Sequence, residues 1–175
     1  MVKRDFSGSA WFRLAVITVF ALAMAYLESA VVVYLRTIFP SSMNLATFAP
    51  DPRTVWFSLP LFTLLRPEAL SSVLPQSRLA TIEVAREATT IVMLLCVAWL
   101  AGRSFKTRAA FFIYAFGIWD IGYYAFLYVL LGWPTSLGSL DVLFLIPGPW
   151  VAPVFVPMVI SAVMILGAVM LLRGE

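Results

Sequence analysis

Apolar residues run along this chain in long blocks and seldom alternate with polar ones. Residues 12–35, 78–101, 109–131 and 154–172 are predominantly apolar over about 19 to 24 positions each. A helix rising about 1.5 Å per residue needs that length to cross a hydrocarbon layer about 30 Å thick. The pattern predicts an all-α fold: a polytopic helical membrane bundle of four transmembrane helices, forming a single integral membrane domain over residues 1–175. Strands of a membrane barrel alternate apolar and polar side chains, and these blocks do not, so a barrel is excluded. In the first block Lys3, Arg4 and Arg13 precede LAVITVFALAMA, the outline of a signal peptide. The apolar run resumes after Glu28 as SAVVVYL, and an uncleaved span is expected.

Between the first two spans lies a connection, residues 37–77, rich in proline and serine. Its apolar piece TVWFSLPLFTLL is too short to cross a bilayer and is interrupted by Pro60, so it is expected along the interface or as a cap over the bundle. Pro67 and Glu68 suit the first turn of a short helix that Pro75 closes. Ahead of the last span, one unbroken helix over residues 140–172 would be about 50 Å long, far more than a bilayer core. Pro147, Pro149 and Pro153 break it. A half-helix at 140–146, N-capped by Ser139, is expected, followed by an irregular segment that is either re-entrant or interfacial, with Trp133 and Trp150 as belt aromatics. Irregular backbone at membrane depth would leave free carbonyls there, suited to a cation or a substrate mouth. Pro157 falls in the first turn of the last span, where proline is tolerated.

Composition agrees with a membrane protein: 62% of the 175 residues are hydrophobic and 12% charged, against about 25% charged in soluble domains. The net charge of +3 comes from Lys and Arg scattered near segment ends, with no basic stripe for nucleic acid. Arg103, Lys106 and Arg108 crowd the short hinge at 102–108, while 132–139 has no basic residue. The positive-inside rule then places both termini in the cytoplasm of a multi-pass protein of the cell membrane. Cys96, the single cysteine, excludes an intrachain disulfide and reads as a small buried hydrophobe. Without any histidine, Ser-His-Asp catalysis and the usual di-iron carboxylate chemistry are excluded. Gly117 and Gly122 read as close-packing positions rather than a phosphate loop.

The exceptions to the apolar pattern carry the chemistry. Glu28, Glu83, Arg86, Glu87 and Asp120 lie inside spans, and Asp141 enters from the surface beside them. Helical rise puts Glu28, Glu83, Glu87 and Asp120 roughly 6–12 Å below one membrane boundary, in a common layer. Glu83, Arg86, Glu87 and Thr90 follow at i, i+3, i+4 and i+7, one stripe of a helix. Asp120 shares a face with Phe116, Gly117, Tyr123 and Tyr124, and the Glu28 face carries Ala21, Met24 and Ala25, small enough for close approach. Ionisable groups are expensive in hydrocarbon and usually face a protein interior with a task.

The acid/base candidates are Asp120 and Glu87, with Arg86 as orienting charge and Tyr123 and Tyr124 as hydroxyls able to bond Asp120 or a ligand. Glu28, Glu83, Glu87 and Asp120, with Asp141 at the periphery, form an oxygen-only set suited to Mg, Ca or Mn. The bland alternative pairs Arg86 with Glu83 or Glu87 and gives the rest structural hydrogen bonds; counting charges, it leaves about three acids uncompensated. The leading expectation is a site that binds a cation or shares protons and acts on a small or lipid-like substrate from the bilayer. The rivals are a small cation- or proton-coupled transporter, oligomeric because four spans make a thin pathway, and an assembly subunit of a larger membrane complex. No internal repeat supports an inverted-repeat transporter.

Overall fold

The computed structural model describes residues 10–39, 51–73 and 76–173. Four long helices carry the chain through the membrane: α1 (Ala10–Ile38), α3 (Ser77–Ala101), α4 (Phe105–Leu131) and α5 (Phe155–Leu172), with the short α2 (Leu70–Val73) between the first two. All four long helices are long and apolar enough to span a bilayer. Their side chains divide as that setting requires. Leu100, Val129 and Met170 stand out on faces that meet lipid, while Ile17, Ala21, Ala25, Leu94, Phe111 and Ala115 are buried between helices.

The central element is α4, which packs against α1, α3 and α5. Lipid tails are as apolar as leucine, so the helices associate by close packing and interhelical hydrogen bonds more than by the hydrophobic effect. Small residues provide that closeness. A Cβ on Gly122 would lie 2.9 Å from the Ala25 Cβ, and one on Gly117 would lie 2.8 Å from the Ser161 carbonyl oxygen of α5. Ser29, buried on the same stripe of α1 as Ala21 and Ala25, donates to the Tyr123 carbonyl at 3.0 Å. The N-terminus of α4 precedes the expected residue 109 because Ser104 and Thr107 form a capping box, with Thr107 N to Ser104 Oγ 3.2 Å and Ser104 N to Thr107 Oγ1 3.0 Å. Lys106 and Arg108 thus stand on the first turns of α4. Cys96 departs from expectation: it is exposed on α3, between the exposed Leu95 and the partly buried Val97. It occupies the lipid side of the helix, where a small apolar thiol is equally at home.

The non-helical connections form a four-stranded antiparallel sheet at the end of the bundle opposite the α3–α4 hinge. The strands are β1 (Val55–Leu59), β2 (Phe62–Leu65), β3 (Leu140–Phe144) and β4 (Trp150–Pro153), in the order β1-β2-β4-β3. This corrects the half-helix at 140–146 and the irregular segment after it. The segment is a β-hairpin, with Asp141 opposite Ala152 and Val142 opposite Val151. The expected free carbonyls are instead drawn into the ladder, and the Pro149 carbonyl accepts from Leu65 N at 2.9 Å. Ser139 caps no helix; its Oγ accepts from Ser136 N at 3.3 Å in the turn before β3.

The piece TVWFSLPLFTLL is likewise a hairpin, turning at Pro60 and Leu61. Its second strand pairs with β4, Thr63 opposite Val151. Valine, tryptophan, phenylalanine and threonine favour a pleated surface, and the ladder satisfies backbone groups that a kinked apolar segment would leave bare. Pro67 and Glu68 do open a short helical stretch, a 3-10 turn at Pro67–Ala69 that continues into α2. Pro75, expected to close it, lies outside the described residues. Trp150 packs edge-on against Phe62 and Phe144 at 5.6 and 5.8 Å, and Trp133 stacks on Arg36. Both tryptophans thus pack into the cap.

Candidate functional site

The stripe on α3 points inward: Glu83, Glu87 and Thr90 are buried, with Arg86 partly so. Arg86 reaches across the interface with α1. Its Nε and terminal nitrogen donate to Glu83 Oε1 at 2.9 and 2.6 Å, and its other terminal nitrogen donates to Glu28 of α1. One guanidinium thus joins two carboxylates from two helices, a geometry its planar fork suits.

Glu87, one residue on, is not part of that pair. Its two oxygens accept from the backbone N of Leu145, at 2.9 Å for Oε2 and 3.2 Å for Oε1. Leu145 immediately follows β3, where the ladder ends, so the carboxylate occupies the acceptor position that a partner strand would otherwise fill. Asp120 on α4 accepts from the Ser161 hydroxyl of α5 at 2.8 Å. The tyrosines do not bond Asp120 as expected. Tyr124 donates to Asp141 Oδ2 at 3.1 Å, because β3 carries Asp141 over the end of α4. Tyr123 packs edge-on against Tyr124, ring centroids 4.9 Å apart. Arg36, at the end of α1, approaches Asp141 Oδ1 to 3.8 Å while its guanidinium lies 3.8 Å over the Trp133 ring. Burial raises the Asp141 carboxyl to about 6, partly offset by Arg36, by the Tyr124 hydroxyl and by the Val142 backbone N–H; the charge of Asp120 adds to the rise.

All eight residues singled out from the pattern line one cavity: Glu28, Glu83, Arg86, Glu87, Asp120, Tyr123, Tyr124 and Asp141. The cavity measures about 80 Å³, room for roughly five to eight water molecules at 10–15 Å³ each. Val32 and Leu35 of α1 and Val142 to Leu145 of the β3 hairpin supply an apolar wall. Sequence reasoning missed Arg36, Trp119 and Ser161. Arg36 lies directly after the apolar block at 12–35, and a basic residue at the end of a span is ordinary. Ser161 had a visible signal, as the one hydroxyl side chain in α5. Trp119 gave none, since an aromatic in a membrane helix is ordinary.

The ion pairs divide the acids. Glu28, Glu83 and Asp141 each have a guanidinium within 4 Å. Glu87 and Asp120 make no such pair among the described residues and are held by neutral donors, an N–H and an O–H. The dispersal bears on metal binding: among the described residues no group of three or more Cys, Asp or Glu is placed to hold an ion. Each carboxylate turns to a protein partner, Glu28 and Glu83 sharing Arg86. Comparison with protein-family models, with curated proteins and with solved structures found no match to the chain.

Proposed function

We propose that this multi-pass membrane protein binds a small amphiphile drawn from the bilayer in its sheet-capped cavity and exchanges protons with it through Glu87 and Asp120. The observation that carries this reading is the division of the acids. Three of five are paired with Arg36 or Arg86, and the two without a cation are the two held by single neutral donors. A buried carboxyl of that kind is material for general acid/base work, with Arg86 holding Glu28 and Glu83 in place around it. The wall is apolar on one side and polar on the other, which suits a guest with a short polar head on an apolar body. Towards the hinge the interior closes over Ile17, Ala21, Phe111 and Ala115, which favours a dead-end site over a transmembrane relay. Following the basic residues of the hinge, the sheet end faces outward and the site belongs to the outer leaflet.

Difference infrared spectroscopy in nanodiscs tests the assignment. Titration of the wild type should show carboxyl bands that shift on deuteration, one absent in Glu87→Gln and one absent in Asp120→Asn, with each variant inserted and folded. Lipid extracted from purified protein should lose the same species in both variants. Unchanged bands and unchanged lipid in both variants would end the proposal.

A further inference from the structure

The hinge end of the bundle carries the opposite charge to the cavity. Arg103, Lys106 and Arg108 belong to the hinge, and Arg13 joins them by donating to the Ala101 carbonyl at 2.8 Å. Arg173 completes the group. Gly117 of α4 abuts Ser161 of the antiparallel α5, and the same number of residues separates Gly117 from Phe105 as Ser161 from Arg173. Equal helical rise brings Arg173 level with the first turn of α4. No described acid stands on the hinge-end turns of the four long helices.

These cations divide by their partners. Arg13 is spent on Ala101, and the Nε of Arg108 donates to the Gly102 carbonyl at 3.2 Å while its guanidinium lies 3.6 Å over the Trp99 ring. Both hold the hinge in shape. Arg103, Lys106 and Arg173 are exposed, and among the described residues their side chains make no hydrogen bond or ion pair. Unlike Arg36 and Arg86 at the sheet end, they have no acid to offset them.

Their depth says where the missing anion lies. Leu100 and Phe105, on either side of the hinge, are each 85% exposed, and Trp99 is exposed as well. Apolar side chains standing that far out need acyl chains around them. Arg103 and Lys106 fall within a few residues of them, at the level where hydrocarbon gives way to headgroups. A soluble anion would answer the charge and leave Leu100 and Phe105 bare. A zwitterionic headgroup brings its own cation beside its phosphate. An anionic phospholipid meets both demands, with net negative charge above and an apolar body below.

We infer that the hinge end is a binding surface for anionic phospholipid, whose headgroups Arg103, Lys106 and Arg173 gather and whose acyl chains lie along Leu100 and Phe105. This surface is at the opposite end of the bundle from the cavity and does not depend on the reading of it.

Full-length protein in a non-ionic detergent, titrated with phosphatidylglycerol or with phosphatidylcholine of the same chains and read by native mass spectrometry, tests the surface. Phosphatidylglycerol should bind about 25-fold more tightly or better, at about fivefold for each cation near an anionic headgroup. Arg103→Gln with Lys106→Gln should lose about that preference. Arg53→Gln with Arg66→Gln removes two exposed cations beside β1 and β2, so the net charge changes equally, yet the preference should stay. Arg103→Lys with Lys106→Arg should keep it too. The wild-type comparison needs no variant, so it stands even where the glutamine pair fails to fold. Equal binding of the two lipids to the wild type would overturn the proposal. An equal loss in both glutamine pairs would reduce the effect to net charge and overturn the assigned surface. Release of phosphatidylglycerol by inorganic phosphate at equal concentration would make the occupant a soluble anion and overturn the lipid.

Discussion

Glu87 on α3 accepts from the backbone N–H of Leu145, at 2.9 Å, and so ties a membrane helix to the strand that caps it. The contact crosses from one class of structure to another: a side chain completes a ladder where the sheet runs out of strands. Replacement by alanine should cost about 1–3 kcal/mol, the range for leaving a buried amide unserved. Glutamine keeps an acceptor oxygen and should cost less than half as much. Hydrogen exchange at Leu145 gives the local readout. Its protection should collapse in Glu87→Ala and survive in Glu87→Gln; equal protection in both would show that the carboxylate is not what holds the strand end.

Arg86 binds Glu28 and Glu83 at once. Removing one partner of a buried ion pair leaves uncompensated charge, at about 3–5 kcal/mol. Arg86→Met should accordingly lower the thermal midpoint in detergent severely. Adding Glu28→Gln and Glu83→Gln to it should restore most of the loss, since no charge is then stranded. A triple variant as unstable as Arg86→Met alone would mean that the arginine acts through packing.

The four spans were legible because a run of some twenty apolar residues has one economical fate in a bilayer. The carboxylate layer was legible too, from i, i+3, i+4 spacing on α3 and equal depth on α1 and α4. The sheet was not. Leu140 to Phe144 is a short, mostly apolar stretch that includes Asp141, and such a stretch reads equally as half-helix or strand; its valine and phenylalanine were the only hint. The partners of the acids followed from what was missed. Leu145 serves Glu87 only if a strand ends there, and Ser161 meets Asp120 only when the rotation of α5 against α4 is known.

That rotation depends on Gly117, where an added Cβ would lie 2.8 Å from both the Ser161 carbonyl oxygen and the Ile165 Cγ1. Backbone cannot step aside as a side chain does, so Gly117→Ala should push α5 outward and cost about 1–3 kcal/mol. Ser161 would move off Asp120 with it. Ser161→Ala removes the same bond directly, so the double variant should lose less than the sum of the singles. Strict additivity of the thermal shifts would separate the glycine from the Asp120 site.

Asp141 gives the sheet cap a pH dependence whose sign can be worked out. Its carboxyl is raised to about 6 by burial, against the opposing pull of Arg36, Tyr124 and the Val142 N–H, whereas an unfolded aspartate titrates near ~4. Between those values the folded chain holds a proton that the unfolded chain has released. Stability from this group is therefore complete below about pH 4, falls as pH rises, and is flat again above about 6. The full swing is about 2–3 kcal/mol. Asp141→Asn lacks the titration, so the wild type should lose about that much relative to the variant between pH 4 and 6.5, measured as paired thermal midpoints in one detergent. Midpoints that run parallel across the window would mean that Asp141 is ionised throughout, held by Arg36 as an ordinary ion pair.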